Sequence, residues 1–560
     1  MRLRSFVLLG ASWLLLLGGS VTSRASLPIE PALGWQTMVV AGHPEATAIG
    51  VEVLRQGGNA VDAAVAVSLA LGVAEPYGSG LGGKLMLLYF DATTGHTFVV
   101  DAMDAAPASL DSAAASQWTS AERSLGWKSV AVPGLPAGLD LLHRRWGSRA
   151  WPEVVEPAAA LATQGALVEP KTRTLFAERL DRMRADPELA RIFLRDGEVP
   201  AVGVRLPNPD LAKTLRRIGR DGADSFYRGE IGERIVTAVA QGGGGISASD
   251  LASYRARIVE PLRMPFREFE LVTSPPPSTG PAMFLPVMKV VEHGLDETKP
   301  LRDPTNLNLL GQVWRRVQPR IYAEIADRAD AVERFNGLLA PDYIAAVREE
   351  VEIAVSDEGV PILEDVNAST THFVVIDAAG NMVCATQSLS LHFGAGVVVP
   401  GTGIVLNDSM SNFSYSDPDS PNAVAPKLRP RSTISPTIVF EGGVPRIAIG
   451  LPGGSRIPTA MLQVLLDRLV WHRPLETAIG DVRWHLNPAW RNGGVDVLEV
   501  ESGLSDATIG ALEKLGWKVE IKETAGTGLH FGGVNAIELN PNGERRGYAD
   551  PRRSNSAAGF

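Results

Sequence analysis

Cysteine is nearly absent: Cys384 is the only one in 560 residues, so no disulfide can form within one chain. Stability must come instead from a buried core, which a chain this long can supply over more than one domain. Lys and Arg form no dense block, and 53 of them are outweighed by 63 Asp and Glu, for a net charge of −10. A basic face for neutralising phosphates is therefore missing, and nucleic-acid binding is excluded. The 9 histidines show no His-x-x-His or His-Glu-x-x-His spacing, so neither a metal site nor a cofactor is expected. Past the N-terminus, no apolar run approaches the roughly 20 residues of a spanning helix. The glycine-rich stretch Gly78-Ser79-Gly80-Leu81-Gly82-Gly83 leads into the apolar run Leu85 to Phe90 and not into a helix, which rules out a phosphate-binding loop.

The N-terminus has the character of an export signal. Met1 to Arg4 carries positive charge, Ser5 to Gly19 is apolar, and Val21 to Ser26 offers small residues for cleavage after Ala25. Residues 1–25 are expected to be removed, leaving a secreted or periplasmic protein without a membrane span. The alternative, a membrane anchor, is disfavoured by the shortness of the apolar run.

Apolar periodicity predicts helices over Glu45 to Gly72, interrupted at Gly57-Gly58 and restarted by Asn59 as N-cap. Further helices are expected around Leu139 to Trp146, through most of 150–235, over 306–350, and near Ala460 to Trp471 and Ser505 to Leu515. Strands are expected at Leu85 to Phe90 and Phe269 to Thr273. After about residue 366 short apolar strands dominate. Phe373 to Asp377 and Met382 to Ser388 flank Ala-Ala-Gly380-Asn381 as a hairpin. Gly403 to Leu406, Thr437 to Phe440 and Arg446 to Gly450 read as further strands. Strands between helical layers imply an α/β layered fold.

Thr370-Thr371-His372 carries the chemistry. A threonine hydroxyl is a weak nucleophile unless a base lies beside it, and its own α-amine serves if the chain is cut just before it. Otherwise Thr370 is an ordinary strand residue. Three other pieces are candidates for the same acyl-transfer site. Gly453 and Gly454, in Gly-Leu-Pro-Gly-Gly-Ser-Arg (450–456), can present backbone N–H groups to an oxyanion. Ser432 and Thr433 can donate hydroxyls to a carboxylate. Ser388, on the second hairpin strand, can bond the Thr370 amine or hydroxyl. Taken singly, each has an ordinary reading as a turn or a strand end.

In these residues the chain resembles the γ-glutamyltransferase (γ-glutamyl transpeptidase) family. The likeness runs through Gly57 to Ala64 (Gly-Gly-Asn-Ala-Val-Asp-Ala-Ala), Gly80 to Gly83, Pro133 to Gly138 and Pro275 to Gly280. It continues through Thr370 to His372, Gly380-Asn381, Pro452 to Arg456 and Asp550 to Arg552. The resemblance implies an N-terminal-nucleophile hydrolase fold, a four-layer αββα sandwich. It implies cleavage between Ser369 and Thr370 into a large subunit (26–369) and a small subunit (370–560) that stay associated. The implied reaction is ping-pong: Thr370 takes a γ-glutamyl group from an amide donor such as a glutathione-like compound, and water, an amino acid or a peptide accepts it.

The departures lie in substrate recognition. The family's arginine for the substrate α-carboxylate, in an Arg-Glu-x-Ala-Pro context, is replaced by Met103 in Met103-Asp104-Ala105-Ala106-Pro107. The acid that holds the α-ammonium is replaced by Asn412, in Asn407-Asp408-Ser409-Met410-Ser411-Asn412-Phe413. Ser390 stands at a family asparagine, and the segment from Phe413 to Ser432 is short. Arg431 and Asp408 are candidates to supply the missing charges. The alternative readings are an amide acylase for a dicarboxylic side chain that lacks the zwitterion, or a non-catalytic exported binding protein of the same fold.

Overall fold

The expected hairpin forms as Ala368–Ile376 paired antiparallel with Met382–Leu391. Its turn is held by the Asp377 carboxylate, which accepts from the N–H groups of Ala379 and Asn381 at 3.0 Å each, and Gly380 takes the left-handed conformation (φ +88°). These elements belong to a computed structural model that describes residues 27–352, 368–487, 494–522 and 529–560. The segment read as an export signal lies outside the described residues.

Among the described residues the hairpin sits at the centre of a seven-stranded antiparallel sheet, here the front sheet. Its order is Ser556–Gly559, Met38–Ala41, Ala368–Ile376, Met382–Leu391, Lys84–Asp91, His96–Ala102, Arg257–Val259. A second seven-stranded sheet, the back sheet, runs Ala32–Gly34, Arg545–Ala549, Asn535–Leu539, Val444–Gly450, Thr437–Glu441, Phe269–Thr273, Leu262–Phe266.

Side chains alternate between the two faces of a strand, and the alternation explains the layering. Phe373, Val375, Val383, Ala385, Leu85 and Leu87 face outward from the front sheet, into a cluster with the helices Pro44–Arg55, Ala60–Ala74, Leu135–Trp146 and Trp151–Gln164. Val374, Ile376, Met382, Cys384, Met86 and Leu88 face inward, against Val272, Ile438, Phe440, Ala448 and Ile537 of the back sheet. On its outer face the back sheet packs on the helices Gly280–Val291, Pro304–Glu324 and Arg456–Leu469. The result is a four-layer αββα sandwich, as the sequence implied.

The Ala60–Ala74 helix is buried along almost its whole length, which only its run of small apolar residues permits. It begins as expected at Asn59, whose side chain accepts from the N–H groups of Val61 and Asp62 in a capping box. Cys384 lies in the inner layer, and burial pushes its thiol up to about 12, so it is an inert core residue. Not anticipated was a third, three-stranded sheet of Trp484–Asn487, Val497–Glu501 and Lys518–Lys522. Its parallel pair is joined through the helix Asp506–Lys514.

Candidate active site

The pairing register sets Thr370, Ser388 and Lys84 in one row. Thr370 lies opposite Ser388, and Ser388 lies opposite Lys84 on the next strand. Leu85 is paired with Ala102, so the row continues to Met103 just past the end of that strand. All share the parity of the inward residues, so they point into the space between the sheets. The Thr370 hydroxyl donates to Ser388 Oγ at 3.2 Å.

A one-residue bulge follows. Thr370 pairs with Ser388 but Ser369 pairs with Ser390, which leaves Leu389 without an opposite number. Bulges of this kind re-aim side chains beside functional sites. Here Ser390 is driven to φ +79°, an uncommon conformation for a non-glycine residue. Its backbone N–H turns back to donate to Ser388 Oγ at 2.9 Å. Ser388 thus accepts from Thr370 on one side and from the bulge on the other.

Beyond the bulge lies a buried polar cluster that the sequence reading missed. The Lys84 ammonium donates to Ser390 Oγ and to Ser409 Oγ, the latter at 2.8 Å. Ser409 donates to Asp104 at 2.5 Å, and the Asp104 carboxylate stands 3.8 Å from Lys84. Asn412 donates its side-chain N–H to Ser390 Oγ at 3.2 Å. Burial pushes the Lys84 ammonium down, and it pushes the carboxyls of Asp104 and Asp408 up to about 7. The available signal was a lysine opening the otherwise apolar run Lys-Leu-Met-Leu-Leu-Tyr-Phe directly after Gly82-Gly83.

The back sheet brings in the glycine pair. Cys384, opposite Val374, donates its thiol to the Ile449 carbonyl at 3.5 Å. The next residue, Gly450, lies against the His372 ring, where a Cβ would come within 2.3 Å of Cε1. The Val444–Gly450 strand therefore advances toward the Thr370 end of the hairpin, and Pro452-Gly453-Gly454 follows from it into the helix Arg456–Leu469. Thr433 donates its hydroxyl to the Gly454 carbonyl at 2.8 Å. Ser432 is anchored through its backbone: its N–H donates to Pro277 and its carbonyl accepts from Thr279. The separated motifs at 275–280, 432–433 and 452–456 thus come together at one end of the inner layer.

Three further expected substrate residues have structural partners of their own. Met103 is fully buried in the apolar layer between the sheets, in the cluster of Met86 and Ile434. Arg431 donates to the carbonyls of Ile325 and, at 2.7 Å, Tyr322, at the C-terminal end of the helix Pro304–Glu324. It caps that helix, a role favoured by the helix dipole, and is not placed to supply the missing carboxylate grip. The Asp408 carboxylate accepts from the Leu391 N–H at 2.8 Å and from the Ser411 hydroxyl at 3.3 Å, so its oxygens brace its own loop.

His372 does not act as a base here. Burial lowers it to about 3, and the neutral ring is held by Thr386 Oγ1 at 2.8 Å from Nδ1. Its backbone carbonyl accepts from Asn535 at 2.7 Å, which ties the nucleophile strand to the back sheet. Among the described residues no group of His, Cys, Asp and Glu is arranged to hold a metal ion.

A family model described as Gamma-glutamyltranspeptidase matches residues 46–560. A glutathione hydrolase proenzyme of Bacillus subtilis is 30% identical, with 98% of this chain and 97% of that protein covered. An acylase ACY 1 proenzyme of a Pseudomonas species is 32% identical, with 93% of each covered. Among solved structures, a cephalosporin acylase from Bacillus halodurans superposes with a TM-score of 0.85 at 26% identity, covering 98% of this chain and 99% of that one.

Proposed function

Because this chain belongs to the gamma-glutamyltranspeptidase family, we propose that it is an exported proenzyme that cuts itself before Thr370 and then uses Thr370 to transfer or hydrolyse an acyl group. It is an enzyme of the N-terminal-nucleophile class, and its activity falls within γ-glutamyl transfer, hydrolysis or amide acylase chemistry. The observation that carries the finer reading is the hydrogen bond of 3.2 Å from Thr370 to Ser388, at the head of a strand that opens between the two sheets.

In this reading, cleavage between Ser369 and Thr370 frees the Thr370 α-amine. The amine takes the hydroxyl proton as Oγ attacks the donor's amide carbonyl. The N–H groups of Gly453 and Gly454 stabilise the oxyanion, in a loop held by the bond from Thr433. The donor's amine leaves with a proton, and an acyl ester remains on Thr370. Water, an amino acid or a peptide then attacks that ester and restores the enzyme.

Residues 26–369 and 370–560 would form the large and small subunits. Strands from both are interleaved in the front sheet, with Met38–Ala41 of the large piece paired on either side by strands of the small one, which would hold the two together. On a denaturing gel the wild type should run as pieces of about 37 and 20 kDa, by domain-sized mass bookkeeping. Thr370→Ala should run as one band, and N-terminal sequencing of the small piece should begin Thr-Thr-His. An intact wild-type chain, with Thr370→Ala equally active, would reject the proposal.

Amide acylase activity on a donor without a zwitterion is the second reading. It is favoured by Met103 in the apolar layer and by Asn412, a neutral group that donates into the Ser390 cluster.

A further inference from the structure

We propose that Glu499, in the middle strand of the third sheet, is a positioning residue for the oxyanion loop: it ties the start of the helix that follows Gly453-Gly454 to the loop that backs those glycines. The inference rests on the acyl-transfer roles proposed above for Thr370, Gly453 and Gly454, and it gives the third sheet a part in the reaction.

The glycines are aimed by the helix that follows them. The Gly453 carbonyl accepts from the Arg456 N–H at 3.1 Å, and the Gly454 carbonyl accepts from the Ile457 N–H at 3.1 Å. A peptide unit is planar and trans, so fixing the Gly453 carbonyl points the Gly454 N–H the opposite way. The position of Arg456 therefore sets the direction of an oxyanion donor.

A second loop, His530 to Gly533, forms the wall behind them. A Cβ on Gly453 would lie 3.2 Å from Gly532 Cα, and one on Gly532 would lie 2.4 Å from the Pro452 carbonyl oxygen. Gly532 also holds φ +75°, so it suits this contact twice over. The two backbones rest on each other with no side chain between them. Arg483, at the edge of the third sheet, holds the wall by donating to the carbonyls of Phe531 and Gly532 at 3.1 Å each.

Glu499 joins the two loops. Leu498 and Val500 face the apolar layer, so Glu499 between them faces the other way. Its Oε2 accepts from Arg456 Nη2 at 3.2 Å and from His530 Nε2 at 2.7 Å, and Lys522 Nζ stands 3.7 Å from its Oε1. The side chain is only 4% exposed. Burial raises its carboxyl, but the bond from His530 and the charge of Arg456 outweigh burial and hold it well below the usual carboxylate range. It is therefore charged and can only accept. Beside it in the sheet, His485 Nδ1 is hydrogen-bonded to Thr459 Oγ1 at 3.0 Å, in the first turn of the same helix. One carboxylate oxygen thus serves both the residue that aims the oxyanion glycines and the wall that supports them.

The test uses processed enzyme and a chromogenic γ-glutamyl or glutaryl anilide, whichever wild type turns over faster. Outright loss of an oxyanion donor costs about 100- to 1,000-fold in kcat, and a donor that is displaced but still present should cost less. Glu499→Gln should therefore lower kcat about 10-fold and leave KM within about twofold, because acylation and deacylation both pass through the oxyanion and substrate binding does not. Glu499→Asp, which keeps the charge, should recover part of the loss. Glu520→Gln, a part-exposed position opposite Glu499 on the next strand, should match wild type. Rates are taken per processed chain, from the two fragments on a gel. A Glu499→Gln enzyme with kcat within about twofold of wild type, a loss expressed in KM alone, or an equal loss in Glu520→Gln overturns the assignment while leaving Thr370 catalysis intact. If Glu499→Gln fails to mature, the part-exposed His530 decides: His530→Ala should lower kcat about 3-fold at unchanged KM, and an unchanged kcat overturns the assignment. A wild type that neither cleaves itself nor turns over either anilide instead removes the acyl-transfer reading beneath it.

Discussion

Replacing Ser388 by alanine removes one oxygen and affects two buried donors. The Thr370 hydroxyl loses its acceptor at 3.2 Å, and the Ser390 N–H, held at φ +79° by the bulge, loses its acceptor at 2.9 Å. A buried donor left without a partner costs about 1–3 kcal/mol. The loss at Ser390 is present throughout the reaction and falls on stability. The loss at Thr370 falls on the rate, because the hydroxyl is no longer held in the direction it must leave the row. Taking about 2 kcal/mol for that share gives a rate roughly 30-fold lower. The assay follows the appearance of the small fragment on a gel and, for processed enzyme, kcat with a saturating acyl anilide. Both rates should fall together, since the proposed mechanism uses the same hydroxyl in self-cleavage and in turnover. Rates within twofold of wild type, accompanied by lower thermal stability, would refute the reasoning and reduce the Thr370–Ser388 bond to a structural contact.

Gly450→Ala sets a methyl 2.3 Å from the His372 ring, which is buried and pinned by Thr386, so the strand must yield. It should lose about 3 kcal/mol in denaturant unfolding, whereas Gly510→Ala, on a helix with open space around it, should be neutral or slightly stabilising. Burial lowers His372 from 6.5 to about 3, so the unfolded chain binds the extra proton first. Its contribution is whole above pH 6.5 and is lost as the pH falls toward 3; unfolding of the Thr370→Ala chain across that range should be flatter by roughly 4 kcal/mol in a His372→Gln background. Cys384 beside the ring is pushed up to about 12 and does not titrate there, so an unchanged slope would assign the acid sensitivity to other groups.

Much of the scaffold was readable in local pattern. The apolar runs at 373–377 and 382–388, flanking Gly380-Asn381, predicted the hairpin, and Asn59 marked a helix start that the structure closes with a capping box. The third sheet escaped because its strands, Trp484–Asn487, Val497–Glu501 and Lys518–Lys522, are each only four or five residues long. Arg431 illustrates a different limit. Its charge and its place beside Ser432 suggested a substrate grip, yet the carbonyls that claim it belong to a helix more than a hundred residues earlier in the chain.

The sequence alone identified the family: the ordered motifs from Gly57 to Arg552, with Thr370-Thr371-His372 and Gly453-Gly454 among them, carry the resemblance and through it the expectation of acyl transfer, whereas each motif singly reads as a turn or a strand end. Only the tertiary structure decided which side chains lie together beside Thr370. Strand register is a long-range property, fixed by pairing across the sheet and by the bulge at Leu389. It is register that brings Lys84 into the row with Thr370 and Ser388, encloses Met103 in the apolar layer and leaves Asn412 facing Ser390.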